Sequence, residues 1–480
     1  MKYNKKLYSI LMALAFLATS CNDSFLDEDP YSEYGTGQTD PASIEAQVMG
    51  LHRTFAELWG WSGQQGFLSI WQIGMDITSP GATQGVENAF YQYADLNPEN
   101  DGVEYMWQKC YDFINNANLI ISAAGEDNVQ AIAEAKFFRA YAYNMLVTFW
   151  GDVPLLVEAI TVPTFNYTRQ PVVEVDALIE EDLTYAIANL PNVDEAVYES
   201  RINKDMARQL AAEAFLRMGM RDNSYFAKAE QQATAIIDGG KYALIEARYG
   251  DYLGEGGDYY RDMFRQGNMR RSEGNTEAIW TFELEYNRDM AGGTIDNPQH
   301  RRVWQPAYHK WDGMVNADSL GGRGNGRLRL SNFMKYTVWQ GLGGDIRNSN
   351  YNIRRTTNYN RPGFSAEIGV DADGYRVDKD AGVQNITIET GDKVIPYRTD
   401  SLEVWYAYPT KWGGYDPTDD FGYALVKDWP VMRLGETYLL RAEARFRQGN
   451  LSGAADDINV LRDRAFRLAR EAQGNQSLGE

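Results

Sequence analysis

From residue 103 to residue 150, apolar side chains recur at alternating intervals of three and four. Met106, Cys110, Phe113, Ala117 and Ile120 form one such stripe, and Ala131, Ala135, Phe138, Ala142, Met145 and Phe149 form a second. Intervals of this kind gather side chains on one face of an α-helix. The spacing therefore predicts helices over about 103–124 and 128–150. Phe137, Tyr141 and Tyr143 add apolar area on the remaining faces of the second helix, which places it deep in the protein. Gly151 and Pro154 supply the chemistry that stops it. Cys110 lies on the first stripe and reads as a small core residue.

Further helices are predicted at about 41–59, 174–190, 203–220 and 224–238. The last two have the texture of a tetratricopeptide hairpin, with small alanines at close-packing positions and a turn near Gly219 to Asn223. Ala212-Glu213-Ala214 followed by Gly219 matches Ala442-Glu443-Ala444 followed by Gly449, and an amphipathic run from Leu451 to Arg470 comes after the second copy. Similar hairpins thus stand early and late in the chain. The interval between them, about 239–430, holds more than half of the 44 glycines and more than half of the 12 tryptophans. Glu277 to Phe282 reads as a strand there, and the remainder is turn-rich. Its aromatic content argues against disorder. The expected fold is mostly α, a tetratricopeptide-like helix-hairpin scaffold with a large loop-rich inserted lobe containing short strands.

The N-terminus carries Lys2, Lys5 and Lys6 ahead of the apolar run Leu7–Ala18. A membrane-spanning helix needs about 20 apolar residues, so this run reads as a signal peptide. Ala18-Thr19-Ser20-Cys21 resembles a bacterial lipobox, which makes Cys21 the expected lipidation site. Residues 22–29 then form an acidic tether. The 480 residues contain 46 Lys plus Arg against 67 Asp plus Glu, a formal charge of −21. That balance argues against nucleic acid, whose phosphates require a basic footprint. Cys21 and Cys110 are the only cysteines, too few for a cysteine-based zinc site.

Several segments, in order along the chain, resemble the SusD/RagB family. They are Ala135-Lys136-Phe137-Phe138-Arg139-Ala140-Tyr141-Ala142-Tyr143 running on to Phe149-Trp150-Gly151-Asp152-Val153-Pro154-Leu155, then Trp429 to Glu436 leading into Leu440 to Ala444, and then Ile458-Asn459 with Arg462, Arg464 and Ala465. Gly344-Asp345-Ile346-Arg347-Asn348-Ser349 with Asn352 and Arg354 is similar to a motif of one branch, and Cys21 with Phe25-Leu26-Asp27 fits the family's N-terminus. The acidic tether resembles the export signals of surface-exposed lipoproteins in Bacteroidetes. The resemblance implies a lipoprotein on the outer face of the outer membrane, without catalytic residues, cofactor or metal. It would bind an oligosaccharide or polysaccharide and pass it to a SusC-like TonB-dependent transporter. The helical face would contact the transporter, and loops of the other lobe would hold the ligand. The implied organisation is a signal peptide over 1–20, a lipidated flexible tether over 21–40, a helical scaffold with N-terminal loops over 41–238, a loop-rich ligand-binding lobe over 239–430 and a closing helix hairpin over 431–480. The family usually continues past this point, so by the resemblance either the sequence is a truncated product or the closing segment is missing after Glu480.

Sugar rings present apolar C–H faces edged by hydroxyls, and they call for flat aromatics with polar groups beside them. Two segments offer that chemistry. One contains Trp304, Gln305, Tyr308 and Trp311; the other runs from Trp71 through Asp76 toward Tyr91 and Tyr93. Trp71, Asp76, Trp304, Gln305, Tyr308 and Trp311 are accordingly the expected ligand-binding residues, whereas Trp107, Trp150 and Trp280 read as core. Asp371-Ala372-Asp373-Gly374 resembles a calcium loop, but its glycine comes too early and no Glu follows, so it reads as a polar turn. The sequence contains no nucleophile elbow, Walker loop or H-E-x-x-H motif. Two other readings stay open. One is a peptide-binding RagB-like lipoprotein. The other is a surface glycoside hydrolase, which would need two carboxylates about 5–9 Å apart across a cleft.

Overall fold

The computed structural model describes residues 41–59, 65–81, 85–125, 128–160, 162, 164–284, 300–397, 404–414, 427–475 and 478–479. The expected signal peptide, Cys21 and the tether lie outside these residues. Eight long helices dominate: α1 (Pro41–Leu58), α2 (Asp101–Ala123), α3 (Val129–Trp150), α4 (Val172–Asn189), α5 (Lys204–Gly219), α6 (Ser224–Ile237), α7 (Leu434–Arg447) and α8 (Leu451–Gln473). Each lies against the next in chain order, and α6 lies directly against α7 although residues 238–433 intervene. The stripe expected on α2 is the face that packs, with Met106, Cys110, Phe113, Ala117 and Ile120 buried. Helix α3 is buried on several faces, through Ala135, Phe137, Phe138, Ala142, Tyr143 and Leu146. Each large side chain so enclosed contributes about 1.5–3 kcal/mol. Asn100 caps α2 by accepting from the Gly102 and Val103 amides at 2.9 and 3.4 Å. Asn203 does the same for α5, from Asp205 and Met206 at 3.0 and 3.2 Å.

The repeated A-E-A-x₄-G pattern conceals two different uses of glycine. Gly449 follows α7 in the left-handed region, with φ +82°, and reverses the chain into α8. Gly219 closes α5 without a positive φ; there a β-carbon would stand 2.3 Å from the Phe226 ring, so the glycine lets α6 approach. Two ion clusters, each built on a buried carboxylate, fasten the helices. Asp182 on α4 accepts from Lys136 Nζ at 2.7 Å and from Arg139 Nε and Nη2 at 2.7 and 2.8 Å, while Arg139 also donates to Asn118 on α2 at 2.7 Å. Arg201 bridges Glu134 on α3 and Glu45 on α1, at 2.6 and 2.5 Å.

The lobe is assembled from short strands, the first contributed by the segment between α1 and α2: β1 (Thr78–Pro80), β2 (Ala278–Phe282), β3 (Leu328–Leu330), β4 (Ile353–Arg354), β5 (Ser365–Val370), β6 (Arg376–Val377), β7 (Gln384–Glu389), β8 (Tyr408–Pro409) and β9 (Trp429–Arg433). All pairings are antiparallel: β1 with β3, β4 with β8, β2 with β9, and β5 between β6 and β7. Asp371 organises the β5–β6 turn by accepting from the Asp373 and Tyr375 amides at 3.0 and 2.9 Å. Strand β2 is buried throughout, and Trp280 rests 4.5 Å from Phe55 of α1, ring centre to ring centre.

The lobe is fixed to the helices where β9 runs into α7. The fully buried Glu277 carboxylate receives Arg464 of α8, Arg433 at the end of β9 (3.2 Å) and the Ile245 amide (3.0 Å). Its carbonyl accepts from the Leu434 amide at 2.9 Å. Deeper in the lobe, His300 stacks on Trp412 at 4.4 Å and is enclosed, and burial lowers its pKa to about 3.

Two outcomes follow from these contacts. Glu277→Ala leaves two arginines without their carboxylate and should cost about 3–5 kcal/mol of unfolding free energy, measured by urea denaturation. His300 stays neutral in the fold but takes up a proton at its ordinary 6.5 once unfolded. Its contribution is complete above pH 6.5 and is lost as pH falls toward 3. Denaturation midpoints should therefore fall further between pH 7.5 and 5 in the native protein than in His300→Phe.

Candidate functional site

The structure corrects the expectation of an open aromatic face at 304–311. Trp304 is 6% exposed, packs with Leu68, Ile73 and Leu328, and donates its indole N–H to Gln72 at 2.5 Å. Tyr308 is fully enclosed, and its hydroxyl donates to the Gly322 carbonyl at 2.6 Å. Trp311 is 6% exposed and belongs with Tyr308, Phe364 and Trp405 to the lobe's own core. The physical reason is the scarcity of long elements in this lobe: short strands bury little by themselves, so flat rings from the turns fill the interior. Trp71 is half-buried between Trp59 and Phe149, at 5.2 and 6.0 Å, and donates to the Leu58 carbonyl. Trp107 and Trp150 are also half-buried and touch each other, whereas Trp280 is core. Asp76 is exposed. Gln305 is fully buried, and neither atom of its side-chain amide has a partner among the described residues.

The open space in the lobe lies elsewhere. A groove of about 350 Å³ runs between 319–320 and 350–360. A narrow slot of about 20 Å³ opens among 261–265, 318–321 and 410–413. Ser319, Leu320 and Arg354 line both, so the two form one depression with Arg354 at the junction.

Local chemistry fixes the groove wall. Asp258 accepts from Asn352 Nδ2 at 3.0 Å and from Ser349 Oγ at 2.8 Å, and Asn352 also donates to the Ile346 carbonyl. Asp345 caps the turn 346–348 through the Arg347 amide at 2.9 Å. Asn350 accepts from the Arg355 and Thr356 amides at 2.8 and 3.0 Å, and Asn360 exchanges two bonds with the Val315 backbone. With those asparagines spent on the loop, Ser319, Thr357 and Asn358 present side chains with no partner among the described residues. Hydroxyl and neutral amide groups of this kind donate and accept, which suits a hydroxyl-rich ligand.

One exposed ring, that of Tyr351, stands beside the depression. Tyr351 lies over Arg261, and its carbonyl accepts from Thr410 Oγ1 at 2.5 Å. Beyond it is a corner bearing Tyr91, Tyr93, Phe333 and Tyr336, all exposed, with Tyr93 at 63%. Pairing of β1 with β3 and a bond from Tyr93 Oη to the Gly74 carbonyl (2.8 Å) assemble that corner, which also includes Asp76. Arg355 connects corner and groove: its guanidinium donates to the Lys335 carbonyl at 2.6 Å, and its amide donates to Asn350. Of the expected residues, then, Asp76 lies at the exposed corner and Gln305 lies behind the slot, where a β-carbon on Gly321 or Gly413 would come within 2.3 or 2.7 Å of its amide nitrogen. Sequence reasoning missed the groove residues, although the dense Asn, Ser and Thr of 348–360 are a legible sign of neutral hydrogen-bonding chemistry.

Comparison with known proteins places this geometry in context. Residues 24–217 match a SusD-like family model described as "Starch-binding associating with outer membrane", and residues 276–476 match the model of the SusD family. A SusD-like protein P25 of Formosa agariphila is 25% identical over 59% of this chain and 52% of its own length. A SusD-like protein of Bacteroides ovatus is 24% identical over 59% of this chain and 54% of its own. The match thus spans about half the length of these curated relatives. Among solved structures, a SusD homologue from Bacteroides thetaiotaomicron superposes with a TM-score of 0.62 at 19% identity, covering 92% of this chain and 79% of the other. A laminarin-binding SusD-like protein gives 0.61 at 18% identity, over 89% and 85%. At these identities the structural likeness speaks for the fold.

Proposed function

This chain belongs to the SusD/RagB family, and on that premise we propose that it captures a nutrient glycan in the groove between 319–320 and 350–360. Lipid on Cys21 holds it at the outer membrane, facing outward, and a SusC-like TonB-dependent transporter receives the ligand. The description of the matching family model and the laminarin-binding neighbour support the ligand class. The observation that carries the reading is the groove itself. Hydroxyl and amide groups at Ser319, Thr357 and Asn358, unpartnered among the described residues, line the groove, and the exposed Tyr351 ring lies against Arg261 of the adjoining slot, which offers a sugar both polar edge contacts and a flat face. Capture without hydrolysis fits the same lining. Asp318 is the one carboxylate along it among the described residues, and it is held by Arg265 at 2.7 Å. Glycoside hydrolysis calls for two.

A glycan array followed by calorimetry on protein beginning after Cys21 tests this. Saturable binding without released reducing ends is the expected result. Thr357→Ala with Asn358→Ala should weaken the bound glycan about tenfold, each lost hydrogen bond being worth about 0.5–1.5 kcal/mol. Unchanged affinity in the double variant, or release of sugar, would remove the proposal. Cys21→Ala should move the protein from the membrane fraction to the soluble fraction, as read by fractionation and immunoblot.

A further inference from the structure

We propose that the groove selects an anionic saccharide, and that Arg354 grips its carboxylate or sulfate. The inference rests on the glycan-binding reading above and adds the charge of the ligand.

The chain as a whole carries −21, so its long-range field repels anions and any attraction must be local. Three arginines line the groove and slot. Arg265 is neutralised by Asp318 at 2.7 Å. Arg261 is neutralised by Glu255 at 3.1 Å, with Asp262 at 3.9 Å. Arg354 differs from both: it makes no ion pair with any described residue, and its Nε is buried without an acceptor. Strand pairing sets it opposite Tyr408, a neutral phenol that donates to the Leu320 carbonyl at 3.1 Å and offers Arg354 a hydrogen bond but no charge. Its neighbour Arg355 likewise meets only neutral oxygens, the carbonyls of Lys335, Asn348 and Ile353 and the Asn348 amide. Burial without a carboxylate lowers the Arg355 pKa. Two consecutive guanidinium groups thus lack a counter-charge among the described residues, in a protein with carboxylates in excess.

A half-buried guanidinium without an anion is a costly arrangement that a bound oxyanion relieves. Its planar fork matches a carboxylate or a sulfate through two parallel N–H bonds. The position suits that task, since Arg354 faces both the wide groove, which has room for sugar rings, and the slot, which has room for about one water or a substituent oxygen. Behind the slot stands the Gln305 amide, fully buried and unpartnered, close against the α-carbons of Gly321 and Gly413. Together these groups describe a groove for neutral hydroxyls with a cationic end. A glycan carrying uronate or sulfate groups satisfies both parts.

The test uses the mature chain and length-matched neutral, uronate-bearing and sulfated oligosaccharides, titrated by calorimetry. At least one anionic series should bind at least about tenfold tighter than the neutral one, and which series it is distinguishes carboxylate from sulfate. Raising salt from 50 to 500 mM should remove most of that advantage. Arg354→Gln should reduce anionic binding to the neutral level, with Arg354→Lys intermediate. The salt dependence of the native protein provides the same reading without any variant. Equal affinity for neutral and anionic glycans, or full anionic affinity in Arg354→Gln, would overturn the inference and leave the glycan-binding function standing. Binding of no saccharide of any charge would overturn both.

Discussion

The groove holds its shape because one buried carboxylate joins the lobe to the helices. Glu277 receives Arg464 from α8, Arg433 from the β9–α7 junction and the Ile245 amide, with no access to water. Arg464 then extends the connection: its carbonyl accepts the Tyr259 hydroxyl at 2.5 Å. Tyr259 adjoins Asp258, and Asp258 holds Asn352 and Ser349 in the wall that carries Arg354. The sequence of contacts runs from helix to carboxylate to arginine to phenol to groove. Each step is a directional bond in a dry environment, where geometry is tightly held. The position of Arg354 is thus coupled to α8, which also packs Ala465 and Phe466 against Ile346 in the same wall.

The helices were legible because their signal is local. Met106, Cys110, Phe113, Ala117 and Ile120 announce α2 by spacing alone, and the structure buries that face. The expectation of open rings at 304–311 met buried ones for a related reason, while Trp280, read as core, is core. Trp304, Tyr308 and Trp311 lie in a turn-rich segment, where spacing carries no information about which side faces inward. A core built by loops and a platform presented by loops have the same composition. Asp76, in the other candidate segment, is exposed, beside the equally exposed Tyr91 and Tyr93.

The groove was illegible for a deeper reason. What distinguishes Arg354 from Arg261 and Arg265 is the absence of an ion-pair partner among the described residues, and that depends on where Asp318 and Glu255 come to rest. Charge balance at a point is a property of the folded chain, whereas composition reports only the sum. The motif Gly344 to Ser349 with Asn352 and Arg354 was visible in the sequence, but its work was not. Most of it is scaffolding, with Asp345 capping a turn and Asn352 bound to Asp258, and only its final arginine turns to the open space.

The direct contact of α6 with α7, across everything between residues 238 and 433, has a consequence for how the chain assembles. As the polypeptide emerges, six helices are available early, and the exposed flank of the sixth must wait for the seventh. Closing so long a loop adds little equilibrium entropy, since that cost grows only with the logarithm of length. It does raise contact order, which slows folding. The seam between α6 and α7 is therefore the last part of the solenoid to zip, and an apolar flank left waiting there is where premature association between nascent chains would begin.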